Sequence, residues 1–125
     1  MYYNRIQIMG NLGKNPEIRY FPDGTASAKL SVAYSEKWRD KNGEQHERTE
    51  WFTVLLTKKQ AETAAKYLHK SDTVQVAGKL LSRHYTDKDG ANRTVYEIHA
   101  NEFLMIKTRQ SAEPEMADLP EDLPM

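Results

Sequence analysis

The chain has 125 residues, 18 basic and 18 acidic side chains, four histidines and no cysteine. This length suits one domain with a real core, and the missing cysteine excludes a disulfide framework and thiolate metal sites. No stretch approaches the roughly 20 apolar residues of a membrane helix, and the start, "MYYNRIQIMG", lacks the shape of a signal peptide, so a soluble, cytoplasmic protein is expected.

The neutral total hides an asymmetry. Residues 108–125 hold five acidic residues (Glu113, Glu115, Asp118, Glu121, Asp122) and only Arg109 as a base. Taking these from the 18 of each sign leaves 17 basic and 13 acidic residues in 1–107. A modestly basic domain, residues 1–107, thus precedes a short acidic tail, residues 108–125. Such asymmetry points toward nucleic acid or another charged partner.

In chain order, "YNRIQIMGNL" (3–12) alternates around Ile6, Ile8 and Gly10 and reads as a strand. Gly13 and Pro16 break it, and "IRYF" (18–21) is a short strand ended by the turn Pro22-Asp23-Gly24. Residues 25–34 alternate through Ala26, Ala28, Leu30 and Val32. The polar stretch "SEKWRDKNGEQ" (35–45) follows, with Asn42-Gly43 as a hairpin tip. A strand through "TEWFTVLL" (49–56) comes next. The period then changes: residues 58–69 place Ala61, Ala64, Ala65 and Leu68 at helical spacing, and Thr57 with Gln60 predicts a capping box. Residues 73–81 alternate as a strand, "DKDG" (87–90) is a second hairpin tip, and 93–106 is a long last strand with a bulge expected near Asn101. The acidic, proline-rich tail has no periodicity and is expected to be disordered.

The order reads as three strands, one helix, two strands. That is the order of an OB-fold, a five-stranded Greek-key barrel, all-β but for one helix between its third and fourth strands. Fold alone does not settle function, so the side chains must carry that argument.

Catalytic chemistry has no visible foothold. His46, His69, His84 and His99 lack metal-ligand spacing. No glycine-rich phosphate loop opens a helix, and Asp87 and Asp89 are explained by their turn. The chain reads as a binder without catalytic groups, cofactor or metal. Binding chemistry is visible. Proteins that hold single-stranded nucleic acid join aromatic platforms to a basic groove. "SEKWRDKNG" sets Trp38 between Lys37 and Arg39 with Lys41 beyond, and "SRHYTDKDG" sets Tyr85 beside Arg83 and His84. Each ring has an alternative role: Trp38 folded over its own hairpin, Tyr85 as a cross-strand packing residue. In "TEWFTVLL" Trp51 and Phe52 point oppositely, so one of them faces outward and needs a ligand or subunit to cover it.

These segments resemble the bacterial single-stranded DNA-binding protein family, plasmid and phage members included, over about residues 3–106. The motifs are "GNLGKNPEIRY", "VAYSEKWRDKNGE", "RTEWFTVLLTKKQAETAAKYLHKSD", "VQVAGKLLSRHYTDKDG" and "YEIHANEF". The resemblance implies an OB-fold homotetramer that wraps single-stranded DNA without sequence preference during replication, recombination and repair. It places stacking aromatics at Trp38, Trp51 and Tyr85, and phosphate-contacting cations at Arg39, Lys41, Lys59, Lys70 and Arg83. A further aromatic of the family falls on Thr57, where this chain departs, and His84 stands where a lysine is often found. The family's acidic tip, which docks replication and repair proteins, falls on Asp122, Leu123, Pro124 and Met125, with methionine in place of the usual phenylalanine. An OB-fold protein-interaction module and an RNA binder are the alternatives.

Overall fold

In a computed structural model of the chain, the described residues are 1–107. The tail, and with it the expected disorder and the tip Asp122–Met125, lies outside them. The elements are β1 (Ile6–Leu12), β2 (Glu17–Tyr20), β3 (Ala26–Arg39), β4 (Gln45–Thr57), α1 (Lys58–Tyr67), β5 (Thr73–Thr86) and β6 (Asn92–Lys107). Among these residues no helix is long and apolar enough to cross a membrane.

The strands form one sheet in the order β1-β5-β6-β4-β3-β2, and an added β1–β3 pairing closes five of them into a barrel. The architecture is the expected OB-fold. Neighbouring strands are antiparallel except β4 and β6, which run parallel with Val54 opposite Ile98. β2 is a fourth strand before the helix. It stands outside the circuit and pairs only with the first half of β3.

Period-two patterning explains the core. Ala26, Ala28, Leu30 and Val32 alternate inward on β3, Val54 and Leu56 on β4, Val74 and Val76 on β5, and all are buried. The helix closes the barrel with Ala61 and Ala64, followed by Leu68. Small alanines let a helix lie close to the strand ends. The helix stops at Tyr67, short of the expected His69, and Ala65 is exposed rather than on the buried face.

The expected capping box does not form. Thr57 is the N-cap but makes no side-chain cap hydrogen bond. Gln60 instead donates its amide to the Asn101 carbonyl at 3.3 Å. Thr57 itself is extended, but Lys58 after it has φ +57°, so the first helical residue leaves the helical region that a capping box requires there.

Both hairpins run further than apolar alternation indicates. β3 continues to Arg39 and β4 begins at Gln45, with pairs unbroken from Ser27–Thr57 to Arg39–Gln45. Cross-strand polar pairs carry this extension, such as the Ser35 and Thr49 hydroxyls at 2.9 Å. The second ribbon, β5–β6, likewise extends to Thr86–Asn92. Its register shifts where Gly78 faces Ala100 and Ala77 faces Glu102, which leaves Asn101 as the extra residue of a bulge, where expected.

Gly78 and Gly10 allow strands to approach where the barrel bends. A Cβ on Gly78 would collide with the His99 carbonyl oxygen and lie 2.7 Å from Ala100 Cα, and one on Gly10 would collide with the Ala33 carbonyl oxygen. These obstacles are backbone and cannot rotate away. Gly78→Ala is therefore expected to destabilise the domain by about 1–3 kcal/mol. For a domain of this size that lowers the melting temperature by roughly 4–8 °C per kcal/mol. A thermal melt that matched the parent would show that the bend does not depend on this close approach.

Candidate nucleic-acid interface

The three singled-out aromatics are all exposed, at 45% for Trp38, 62% for Trp51 and 42% for Tyr85. Tyr20, Phe21, Tyr67 and Tyr96 are exposed too, so what sets these three apart is where they stand rather than exposure alone. Their positions differ. Trp51 stands on the outer wall of the barrel. Its strand neighbour Phe52 faces the core, so the two point oppositely, with the tryptophan outward. The indole lies over Gly13, where a Cβ would come within 2.5 Å of its ring.

Trp38 lies far out on the β3–β4 arm, opposite His46. The two rings stack with centroids 5.5 Å apart and planes 20° from parallel. Trp38 does fold over its own hairpin, as the alternative reading had it, yet remains nearly half exposed. By strand alternation Trp38 shares the side of β3 that carries Val32 and Leu30, whereas Trp51, opposite Ala33, is on the other side. The two indoles therefore belong to opposite faces of one ribbon.

Arg39 and Lys41 accompany Trp38, and both are exposed. Arg39 donates to the Gly43 carbonyl at 3.3 Å and has no acidic partner among the described residues. Lys59, at the start of α1, and Lys70, after its end, are also exposed. The Lys70 backbone N–H donates to Asn15 Oδ1 at 2.8 Å, which ties the helix exit to the β1–β2 loop. Among the described residues no hydrogen bond or ion pair links either lysine to the aromatic positions.

Arg83 and Tyr85 do come together on β5, the guanidinium lying 5.8 Å from the ring centroid. Arg83 also has a firm partner: its Nη2 and Nε donate to Glu97 Oε2 at 2.8 and 3.2 Å. Glu97 is 4% exposed, and a buried carboxylate must be paired to remain charged. Part of this guanidinium is thus committed to the fold, and its remaining N–H groups are what is left for a ligand. His84 turns to the opposite side, its Nδ1 2.9 Å from Thr94 Oγ1.

The same outer wall contains residues that motif reading passed over. A cleft of about 510 Å³ is lined by Glu17, Arg19, Phe21, Ser27, Lys29, Leu55, Arg83 and Glu97. Arg19 and Lys29 add two cations beside Arg83, and Phe21 is half exposed. A signal existed for Lys29, a charged residue at an outward position between buried Ala28 and Leu30. Thr57, where an aromatic was missing, pairs with Ser27. Phe21 lines the cleft with Ser27, so a ring stands near that position from the turn just after β2.

Both hairpin tips are fastened alike. Asp40 Oδ1 accepts from the N–H groups of Asn42 and Glu44 at 2.9 Å, and Asp87 Oδ1 does so from Asp89 and Ala91. Gly43 and Gly90 complete the turns with φ +82° and +83°. Asp40, Glu44 and His46 bring one ligand atom each within 4.8 Å of one another. Both Asp40 oxygens are already taken by the turn and by His46 Nε2 at 2.8 Å, which makes this a hairpin staple rather than a cation cage.

The Arg83 hydrogen bond holds the Glu97 carboxyl below its ordinary value of 4.5, against the opposing effect of burial. A lowered folded-state pKa means that the carboxylate contributes stability above the unfolded value. That contribution is complete above about pH 4.5 and is lost as pH falls through the lower folded value. Urea midpoints measured from pH 6 down to pH 3 are expected to decline less steeply in Glu97→Gln than in the parent. Equal slopes would show that the pair adds nothing to acid stability.

Comparison with known proteins gives one answer. The model of the Single-strand binding protein family matches residues 3–106. The single-stranded DNA-binding proteins of Neisseria meningitidis serogroup A / serotype 4A and serogroup B are each 46% identical over 109 residues, covering 87% of this chain and 63% of theirs. The chain thus spans less than two thirds of the length of these curated relatives. Among solved structures, a Plasmodium falciparum SSB complex with ssDNA superposes with a TM-score of 0.79 at 26% identity, covering 86% of this chain and 97% of the other. A deletion mutant of the single-stranded DNA binding protein from Thermus aquaticus gives 0.72 at 28% identity, covering 86% and 52%. The chain belongs to the Single-strand binding protein family.

Proposed function

We propose that the protein binds single-stranded DNA without sequence preference and protects it during replication, recombination and repair. The observation that carries this reading is the exposure of Trp38 and Tyr85 on the long arms and of Trp51 on the outer wall, with Arg39 next to Trp38 and Arg83 over Tyr85. A base presents the same kind of π-face whatever its identity, so stacking tolerates any sequence. Duplex DNA hides those faces, so preference for single strands follows. Arg39, Lys41, Lys59, Lys70 and the free part of Arg83 follow the phosphates, and Arg19 and Lys29 extend the basic track along the cleft. The protein acts as a passive binder, not an enzyme, and works in the cytoplasm on the nucleoid.

The working form is a homotetramer. One edge of β1 supports this: residues 6–11 pair with β5, while on the other side only Asn11 and Leu12 pair with β3. An open strand edge is a template for pairing with another copy. Met9 on β1 and Leu80, Leu81, Tyr96, Leu104 and Ile106 on the β5–β6 ribbon are exposed apolar side chains that subunit contact would cover. The tip Asp122-Leu123-Pro124-Met125 docks replication and repair proteins, its methionine thioether filling an apolar pocket.

Titration with oligothymidylate, followed by tryptophan fluorescence at several salt concentrations, tests the central reading. Strong quenching and tight binding are expected, with weaker binding to a matched RNA and to duplex DNA; no binding to the DNA oligonucleotide would overturn it. Trp38→Ala is expected to weaken binding by about 5- to 150-fold, from roughly 1–3 kcal/mol per stacked base, with an unchanged melting temperature. Unchanged affinity would remove Trp38 from the interface. The Lys41→Ala and Lys59→Ala variants are each expected to flatten the logarithmic salt dependence by about 0.7 per lost phosphate contact. A slope equal to the parent's would show that these lysines do not meet phosphate.

A further inference from the structure

The two arms carry one pattern twice. From Trp38 the sequence runs "WRDKNGEQH", and from Tyr85 it runs "YTDKDGANR". An aromatic, an aspartate two residues on, a lysine at the tip, a glycine in the turn and a basic side chain at the end recur at the same spacing. The structure gives the aspartate, the glycine and the last basic residue the same job on both arms. The aspartate staples the turn, and its second oxygen holds the basic side chain six residues later: His46 Nε2 at 2.8 Å from Asp40 Oδ2, and Arg93 Nε at 2.9 Å from Asp87 Oδ2. That basic residue is in each case the register partner of the aromatic, Trp38 with His46 and Tyr85 with Arg93.

The arms differ in the chemistry of this last residue. A guanidinium is charged at every working pH, whereas an imidazole changes charge between about pH 5 and 8. On the first arm that imidazole is stacked against the tryptophan. We propose that His46 is a positioning residue for Trp38, and that its protonation tightens this arm on single-stranded DNA. The inference rests on the stacking role given to Trp38 above.

The physical chain is short. Neutral His46 offers Asp40 one hydrogen bond and Trp38 an uncharged ring. Protonated, it forms an ion pair with Asp40 and sets a cation against the electron-rich indole face. The indole is then held more firmly from behind, while its other face stays open to a base. The hydrogen bond from His46, followed by that from the Glu44 N–H, lowers the Asp40 pKa, so Asp40 stays a carboxylate where an imidazole titrates. The other charged groups on this side of the ribbon are Glu36 on β3, Glu44 at the turn, and Arg48 and Glu50 on β4, and Arg48 is paired with Glu50 at 2.9 Å. Among the described residues no hydrogen bond or ion pair joins His46 to any element beyond this hairpin.

The test uses the full chain carrying Trp51→Phe, so that Trp38 is the sole tryptophan. In the free protein, Trp38 fluorescence is expected to change as pH is lowered from about 8 to 5.5, and His46→Gln and His46→Arg should abolish that change. Asp40→Asn, whose amide oxygen can keep the turn hydrogen bonds, should move it to lower pH. In parallel, oligothymidylate affinity is expected to rise on acidification by about two- to fivefold more in this parent than in His46→Arg, the gain expected for an exposed cation–π contact. His69, His84 and His99 are present in both proteins, so the difference isolates His46. A fluorescence titration that persists in His46→Gln, or none in the parent, overturns the clamp while leaving the DNA-binding reading intact. Parallel affinity profiles for parent and His46→Arg overturn the coupling to DNA. Failure of the unsubstituted protein to bind the oligonucleotide at any pH overturns the functional reading, and with it the role of the clamp.

Discussion

Asn11 and Leu12 of β1 meet Ala33 and Val32 of β3, and this two-pair seam turns an open sheet into a barrel. Without it the sheet would end at β1 on one side and β2 on the other. With it, the inward residues of all five strands face one enclosed core, capped by α1. The seam needs close approach, and Gly10 provides it by having no Cβ to strike the Ala33 carbonyl. Gly78, on the partner strand of β1, provides the matching bend against β6, where Asn101 bulges out. Gln60 of the helix then hydrogen-bonds to the Asn101 carbonyl, so the same bulge also helps to seat the cap.

A closed core frees the rest of the sheet from the need to bury anything. β3–β4 and β5–β6 run on past the barrel as two-stranded arms, and an isolated ribbon of this kind is marginal in water. The arms are held by local devices: an aspartate staple and a left-handed glycine at each tip, and cross-strand pairs along the ladder. Such devices order the arms without covering their side chains. This resolves the presence of Trp38 among charges. Its ring gains partial cover from His46, enough to give it a defined position, and retains an open face.

Much of this was legible in the sequence, for identifiable reasons. Asn42-Gly43 and Asp87–Gly90 act through their own backbones, so local chemistry announces both turns. The bulge at Asn101 showed because it interrupts a period of two, and Trp51 showed because alternation requires it or Phe52 to face outward. The missed features depend on partners distant in the chain. Nothing local tells that Gln60 reaches Asn101, 41 residues away, instead of its own helix end. Nothing local tells that Arg83 answers a buried Glu97, so a residue read only as a phosphate contact also supports the fold. The arms ran longer than apolar alternation because polar pairs sustain them. His46 was within reach: the register of the Asn42-Gly43 turn places it opposite Trp38.

The outer wall shows why charge and structure must be read together there. Its cleft holds three cations, but Glu97 is a buried anion that must keep one of them, and Glu17 stands at the rim close to Lys14, its ion-pair partner. Acidic groups set among the cations keep long side chains apart and aligned when no ligand is present. A phosphate entering such a cleft competes with Glu97 for Arg83, and the buried carboxylate cannot lose its partner without penalty. Arg19 and Lys29 have no such commitment among the described residues. The cations left without an acidic partner on this wall, among the described residues, are therefore the two that no aromatic motif marked, while Arg83 is tied to Glu97 beside Tyr85.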